Sequence, residues 1–413
     1  MHSDLLKQAY SAMRHDLRRT LLTMAGMAWG IATVVLLLSY GNGFGKAIEA
    51  IFQSFGATAV GVFPGRTSQQ AGGNKAGVQV RFTNDDIELM RNNLPLCRHV
   101  VRESDKQSTV QNDNRSFSFQ VMGLDPAIQA IWNLDLSDGR FLDDADNMQH
   151  ALVAVIGSEA RDRLFSGMPA VGEYIRIDGV SFEVIGVGAP RMQEGDNDNN
   201  RVVYIPYNSM DVLKDNHYLD GIWLDSIGLD HDKMDKTIRE TLGTAHNFKP
   251  DDHRAIFVFD AQKQLSQFGI ITMALKVLLA FIGTVTLGIG GVGLMNIMLV
   301  SVTQRTREIG VEKALGAQRG HILFQFLAEA MVITAVGGFL GIVLSYAVSI
   351  FAGRITFYSA LAKHAEAADI RLIVSPMILV VATSILALVG VVSGMVPAMR
   401  AANLDPIEAL RYE

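Results

Sequence analysis

The chain has 413 residues, 49% of them hydrophobic, and 36 Lys and Arg against 42 Asp and Glu give a net charge of −6. Its mean hydropathy of +0.22 is high for a water-soluble protein of this length, and its single cysteine, Cys97, excludes an intrachain disulfide or a thiolate metal cluster. Residues 43–270 hold 32 acidic and 22 basic residues, a net of −10, which leaves +4 for the remainder. The middle therefore reads as an acidic, water-exposed domain and the rest as a basic-flanked membrane region; no nucleic-acid partner is expected.

In chain order, residues 1–19 come first. Leu5, Leu6, Ala9, Ala12, Met13 and Leu17 fall at helical spacing opposite charged residues. That pattern predicts a cytoplasmic amphipathic helix lying on the inner leaflet, with a plain extension of the first span as the alternative. Residues 20–42 form the first predicted span, LLTMAGMAWGIATVVLLLSY at its centre, about the 20 apolar residues a crossing needs. Its apolar run is longer than a signal-peptide h-region, and the glycines of Gly41, Gly43 and Gly45 do not make a clean cleavage site, so we read an anchor.

Residues 43–267 are expected to form an extracytoplasmic mixed α/β domain of two subdomains, one of them discontinuous. Strands are predicted at 117–122, 152–156, 174–177, 180–187, 202–205 and 256–259. Asp178-Gly179 between two alternating runs is a hairpin signal. Helices are predicted at 83–92, 158–165, 210–215 and 232–242, and residues 69–77 and 193–200 read as loops, the first of them mobile. A second span with a helical stalk occupies 268–302 and a short basic segment 303–321. A third span at 322–351, an outer loop at 352–375, a fourth span at 376–398 and a tail at 399–413 complete the chain.

Lys7, Arg14, Arg18 and Arg19 precede the first span, Arg305, Arg307, Lys313 and Arg319 lie between the second and third, and Arg400 and Arg411 follow the fourth. Positive flanks stay in the cytoplasm, so both termini and the basic segment are expected inside and the acidic domain outside. Arg354, Lys363 and Arg371 in the outer loop run against this, offset by Glu366 and Asp369.

Chemistry-bearing patterns mostly fail on inspection. His246 and His253 lack metal-ligand spacing, and no GxSxG elbow is present. Asp196, Asp198 and Asn200 begin like a calcium loop, but Arg201 and Tyr207 stand where glycine and glutamate are needed. Cys97 is expected to be a buried structural residue. Gly288, Gly290 and Gly293 spell GxGxxG with Glu308 beyond, yet they lie inside an apolar run rather than between a strand and a helix. They are read as small residues for helix packing, as are Gly337 with Gly341 and Gly390 with Gly394. No GxxxxGK[ST] occurs, so no P-loop nucleotide site is expected and the chain is not itself an enzyme. Only Lys276 and Glu329 are ionisable within the spans. Lys276 is expected to snorkel outward, and Glu329 to pair with a basic residue of the loop or reach the inner interface.

The stretch GVGLMNIMLVSVTQRTREIGVEKALGA, the start of the third span FQFLAEAMVI and the tail PAMRAANLDPIEALRYE resemble the MacB/FtsX family of ABC transporter permeases, in its macrolide-exporter-like branch. VAVIGSEARDRLF and VGEYIRIDGVSFEVIGV are similar to that family's periplasmic core domain. The resemblance implies four helices in the cell inner membrane and a MacB-type periplasmic domain. It also implies a cytoplasmic coupling helix at 303–319 seated in a groove of an ATPase. Arg305, Arg307, Glu308 and Lys313 would then supply polar contacts, and Ile309, Val311, Ala314 and Leu315 apolar ones. Gly310 and Gly316 would bound its turns. The alternative is that these charges anchor the segment at the lipid headgroups. Because 20 residues precede Leu21, the expectation is a standalone permease. It would pair with a second copy or a paralogue and work with a separate ABC ATPase dimer that binds ATP and Mg, none of it held by this chain. A periplasmic membrane-fusion adaptor and an outer-membrane channel are further implied partners. The implied function is efflux of a drug, peptide or lipid-like substrate by mechanotransmission. A non-transporting FtsX-like regulator of a cell-wall hydrolase or signalling complex, or Lol-like lipoprotein extraction, are the alternatives.

Overall fold

The computed structural model describes residues 17–54, 56, 58–73, 75–113, 115–192, 199–226, 230–356, 359 and 368–411. Residues 1–16 of the expected N-terminal amphipathic helix and residues 193–198 of the acidic loop lie outside them. In chain order, helix α1 (Leu17–Ser54) leads to strand β1 (Ala59–Pro64), helix α2 (Asn84–Asn93) and a long hairpin, β2 (Cys97–Asn112) and β3 (Arg115–Leu124). Then come α3 (Ile128–Ile131), β4 (Leu136–Gly139), α4 (Asp144–Met148), β5 (Val153–Ile156), α5 (Ser158–Phe165), β6 (Tyr174–Ile177) and β7 (Val180–Gly188). A strand β8 (Val203–Pro206), a 3-10 helix (Tyr207–Val212), β9 (Gly221–Ser226), α6 (His231–His246) and β10 (Ile256–Asp260) follow. The rest is α7 (Ala261–Gln304), α8 (Thr306–Ala314), α9 (Arg319–Ala352), the strand pair β11 (Arg354–Ile355) and β12 (Ile370–Arg371), α10 (Pro376–Ala402) and α11 (Pro406–Arg411). The elements separate into two compact units. One comprises Met1–Lys46, Ile270–Ile355 and Ile370–Glu413, the other Ala47–Gly269 and Thr356–Asp369.

The second unit is a mixed ten-stranded sheet in the order β10-β1-β9-β2-β3-β8-β5-β7-β4, with β6 against β2 and β7. Strand β2 belongs to two neighbourhoods: Val100 to Glu103 pair with β9, and Val110 and Gln111 pair with β6. On the β10-β1-β9 side, α2 and α6 bury Met90, Ile238 and Leu242 against Val60, Val62, Ile222 and Leu224. That core draws on two separated stretches of sequence. On the other side, α5 buries Ala160, Leu164 and Phe165 among Phe119, Val121, Ile175, Ile177 and Phe182. Each fully buried large apolar side chain contributes about 1.5–3 kcal/mol.

Local chemistry sets the turns. Asp178 and Gly179 have φ of 48° and 92°, the two positive values that a tight hairpin turn between β6 and β7 demands. Asp86 accepts from the Thr83 backbone N–H at 2.7 Å and satisfies an orphan donor at the start of α2. In place of the α-helix expected at 210–215, a tighter 3-10 helix spans Tyr207–Val212. The segment expected to be a mobile loop at 69–77 is pinned at its start, because Asp252 accepts from Ser68 N, Ser68 Oγ and Gln69 N at 2.6–2.9 Å.

The first unit holds four helices long and apolar enough to cross a membrane. At 1.5 Å per residue, the 44 residues of α7 reach about 66 Å, roughly twice a bilayer core. Half of the apolar window of α1 is buried, against 17% for α7, so α1 is the helix the others pack around. Glycines make the close approaches. Gly290 lies against the Gly26 carbonyl of α1, Gly337 against Met24 and Met27, Gly390 against Thr334, and Gly394 against Ala330. A methyl group on Gly341 would stand 2.0 Å from Ile31 Cγ2 and 2.3 Å from the Ala28 carbonyl oxygen.

Two of the expected packing glycines make no close approach within this chain. A methyl group on Gly288 or Gly293 meets nothing within 4 Å. With 3.6 residues per turn, Gly283, Leu287, Gly290 and Leu294 form the stripe of α7 that faces inward, and Gly288 and Gly293 fall off it. Gly30 against Leu287, Gly283 against Val34 and Gly291 against Ser393 make contacts that the GxGxxG pattern did not single out.

Candidate functional site

The helix α8 and its surroundings form the most distinctive polar structure of the four-helix unit. Arg305 sits at the joint between α7 and α8, and its guanidinium meets the Glu329 carboxylate of α9 at 3.3 Å. That pair answers the question of Glu329's partner. At the other end, Ala317 N donates to the Glu312 carbonyl and Gly316 N to the Lys313 carbonyl, with Gly316 at φ +101°. This left-handed glycine cap stops α8 where a side chain would be strained.

Lys313 turns inward. Its ammonium donates to the carbonyls of Ala402 and Leu404, each at 2.6 Å, at the C-terminal end of α10. These carbonyls have no intrahelical partner, so the charge-assisted bonds fasten α8 to the fourth span. Desolvation and the nearby Arg319 push the Lys313 pKa down, opposed by Asp405. Ile309 is 3% exposed and packs with Met298, Val302, Ile322, Phe326 and Ala398.

Four of the residues expected to contact an ATPase are turned toward the chain itself. Ile309 points into the chain's own core, because helical period puts it beneath the outward row. Gly310 is buried within α8 and bounds no turn. Arg305 and Lys313 spend their hydrogen bonds inside the chain. What α8 presents outward is Arg307, Glu308, Val311, Ala314 and Leu315, the last 84% exposed.

A further element was not read in the sequence as structured. Helix α11 packs against α8 and exposes Ile407 while burying Ala409. Its start is capped by Asp405, whose carboxylate accepts from Ile407 N at 2.8 Å. The signal was present: Asp405-Pro406 ahead of an apolar-spaced run is a helix start. The two helices together hold Val311, Leu315 and Ile407 open on a frame welded from beneath.

Outside this region, among the described residues, no group of three or more His, Cys, Asp and Glu could hold a metal. His246 instead pairs with Asp86 at 2.8 Å. Cys97 is half-buried, and burial and the Asp225 carboxylate raise its pKa to about 11. A thiol is reactive only as thiolate. Iodoacetamide at pH 7 is thus expected to alkylate Cys97 at least tenfold more slowly in the folded chain than in urea, measured by intact mass; equal rates would contradict this environment.

Residues 20–230 match the family model of the MacB-like periplasmic core domain, and residues 280–406 match that of the FtsX-like permease C-terminal region. The chain is 32% identical over 411 residues to the macrolide export ATP-binding/permease protein MacB of Bdellovibrio bacteriovorus, covering 99% of this chain and 61% of that protein. It is also 32% identical over 419 residues to the pyoverdine export ATP-binding/permease protein PvdT of Pseudomonas entomophila, covering 99% and 60%. It thus spans about three fifths of the length of these relatives. The crystal structure of the periplasmic region of MacB from Actinobacillus actinomycetemcomitans is similar, with a TM-score of 0.43 and 18% identity, over 54% of this chain and 97% of that one.

Proposed function

The chain belongs to the family of ABC transporter permeases built from a MacB-like periplasmic core domain and an FtsX-like membrane region, and from that premise we propose that it is the force-transmitting permease subunit of an ATP-driven exporter. An ABC ATPase binds ATP and Mg and closes. The surface of α8 and α11 receives that motion, with Leu315 and Val311 as apolar contacts and Arg307 and Glu308 at the rim. Both termini and α8 face the cytoplasm. The Arg305–Glu329 pair and the Lys313 bonds to the fourth span carry the displacement into the helices rather than letting α8 move alone.

The observation that carries this reading is that α8 is welded inward while a nearly bare leucine projects outward. Large apolar side chains exposed on a rigid helix pair suit a groove on a partner. The open flank of α7 suits a second permease copy or paralogue. Few polar groups line the spans, which favours movement relayed to the outer domain over passage of substrate through the helices. Efflux of a drug, peptide or lipid-like compound, with a periplasmic adaptor and an outer-membrane channel, is the role proposed.

The test is reconstitution of the chain with candidate ABC ATPase subunits in nanodiscs. A stable complex whose ATP turnover changes when the outer domain is bound by an antibody fragment is expected. A complex that hydrolyses ATP at a rate indifferent to any restraint on the outer domain would overturn the reading.

A further inference from the structure

Strand alternation gives the β10-β1-β9-β2 part of the sheet two different faces. Val60, Val62, Ile222, Leu224 and Ile256 point at α2 and α6. The residues between them, Phe63, Trp223, Phe257 and Phe259, point the other way with Glu103 of β2. There they line a cleft of about 320 Å³ that Trp132 completes. Trp223 stands edge-on to Trp132 at 4.9 Å and to Phe63 at 5.5 Å. Two glycines leave the room: a methyl group on Gly61 would meet Phe63 at 2.8 Å, and one on Gly221 would meet the Glu103 carboxylate at 2.5 Å.

Glu103 is 5% exposed. Its Oε2 accepts from Trp223 Nε1 at 2.5 Å, and among the described residues no other side chain donates to the carboxyl group. A carboxylate buried among rings with a single donor is costly, which makes it a poor structural element and a good counter-ion. Burial pushes its pKa up to about 8; the Trp223 bond opposes this, Asp105 and Asp220 add to it, and Lys214 counters them. Lys214 is itself held by Asp220 and the Asp105 carbonyl, and the Gln120 amide by Asp105, so none of these neutralises Glu103 directly.

We propose that this cleft binds a small organic monocation, an aryl- or alkyl-ammonium, with its charge against Glu103 and its apolar part among the rings of Phe63, Trp223 and Phe257. Aromatic faces attract a cation, and the effect grows when both are removed from water. When Glu103 is protonated, the ligand enters as a cation, the carboxyl proton leaves to solvent and an ion pair remains. The site lies within the outer domain and is independent of the coupling reading.

The test uses the full chain in lipid nanodiscs, with phenethyltrimethylammonium and its neutral isostere (3,3-dimethylbutyl)benzene. Binding is followed by equilibrium dialysis with empty nanodiscs subtracted and by tryptophan quenching. The cation is expected to bind at least tenfold more tightly at pH 9 than at pH 6, because the carboxylate forms across that window; the isostere should show no pH dependence. Glu103→Gln should remove the pH dependence and weaken cation binding at least tenfold. Trp223→Phe should keep the pH dependence with its midpoint moved upward, since a donor to the carboxylate is gone. The pH comparison on the unaltered chain stands by itself if a variant fails to fold. Equal binding of cation and isostere, pH-independent binding, or binding by neither compound would overturn the proposal.

Discussion

Leu315→Asp is expected to cut the affinity of this chain for the proposed ATPase partner about a hundredfold or more and to silence ATP-linked output, while leaving the chain folded. The side chain is 84% exposed, so its removal disturbs no internal packing. If it enters an apolar groove, burial of a leucine contributes about 1.5–3 kcal/mol. A carboxylate in its place loses that and adds the cost of desolvating a charge, several kcal/mol when unpaired. Each 1.4 kcal/mol is a factor of ten in affinity, so a hundredfold loss is a conservative sum. Arg307→Ala, at the rim, should cost only a few-fold, in line with the small worth of solvent-exposed ion pairs. Affinity is read by biolayer interferometry on the purified permease, and folding by its melting temperature. A Leu315→Asp chain that binds its ATPase as before would remove the premise that α8 docks through its apolar row.

The contrast between Leu315 and Ile309 shows where sequence reading ends. Ile309 lies in one short charged helix and Leu315 caps it, and nothing in TREIGVEKAL says which is outward. The rotational phase of α8 is set by the joint at Arg305 and by the Lys313 bonds to Ala402 and Leu404, about ninety residues away. Local chemistry was legible where it closes within a few residues. Asp178-Gly179 specifies its own turn, and SEARDRLF forms the helix expected at 158–165. The four apolar spans were legible because lipid leaves a backbone few choices. Strands β1, β2 and β9 were not. Ala59–Pro64 is broken by Gly61 and Pro64, Gly221–Ser226 lies in an acidic turn-like setting, and much of Cys97–Asn112 is polar. The pairings of β1 with β9 and β10, and of β9 with β2, join residues 100 or more apart, such as Gly61 opposite Trp223. The Glu103 cleft was invisible for the same reason, since it gathers its walls from seven separate segments.

Glycine placement separates a true packing contact from a pattern, and a pair of alanine substitutions should give opposite signs. Gly341→Ala forces a methyl group to 2.0 Å from Ile31 and 2.3 Å from the Ala28 carbonyl. Part of that clash is with backbone, so rotamer changes at Ile31 cannot relieve it, and α1 and α9 must separate. Overpacking of this kind costs about 1–3 kcal/mol and more where backbone must move. It falls on the helix that the other three pack around, so it spreads to their contacts as well. Alanine also favours a helix over glycine by up to about 1 kcal/mol, which offsets only part of a clash that includes backbone. At Gly293 that gain stands unopposed, because a methyl group there meets nothing within 4 Å. Gly341→Ala is therefore expected to lower the melting temperature of the detergent-solubilised chain by several degrees and to reduce its yield. Gly293→Ala should leave it unchanged or slightly raised. Equal losses from the two would show that Gly293 packs as closely as Gly341 and would overturn the distinction.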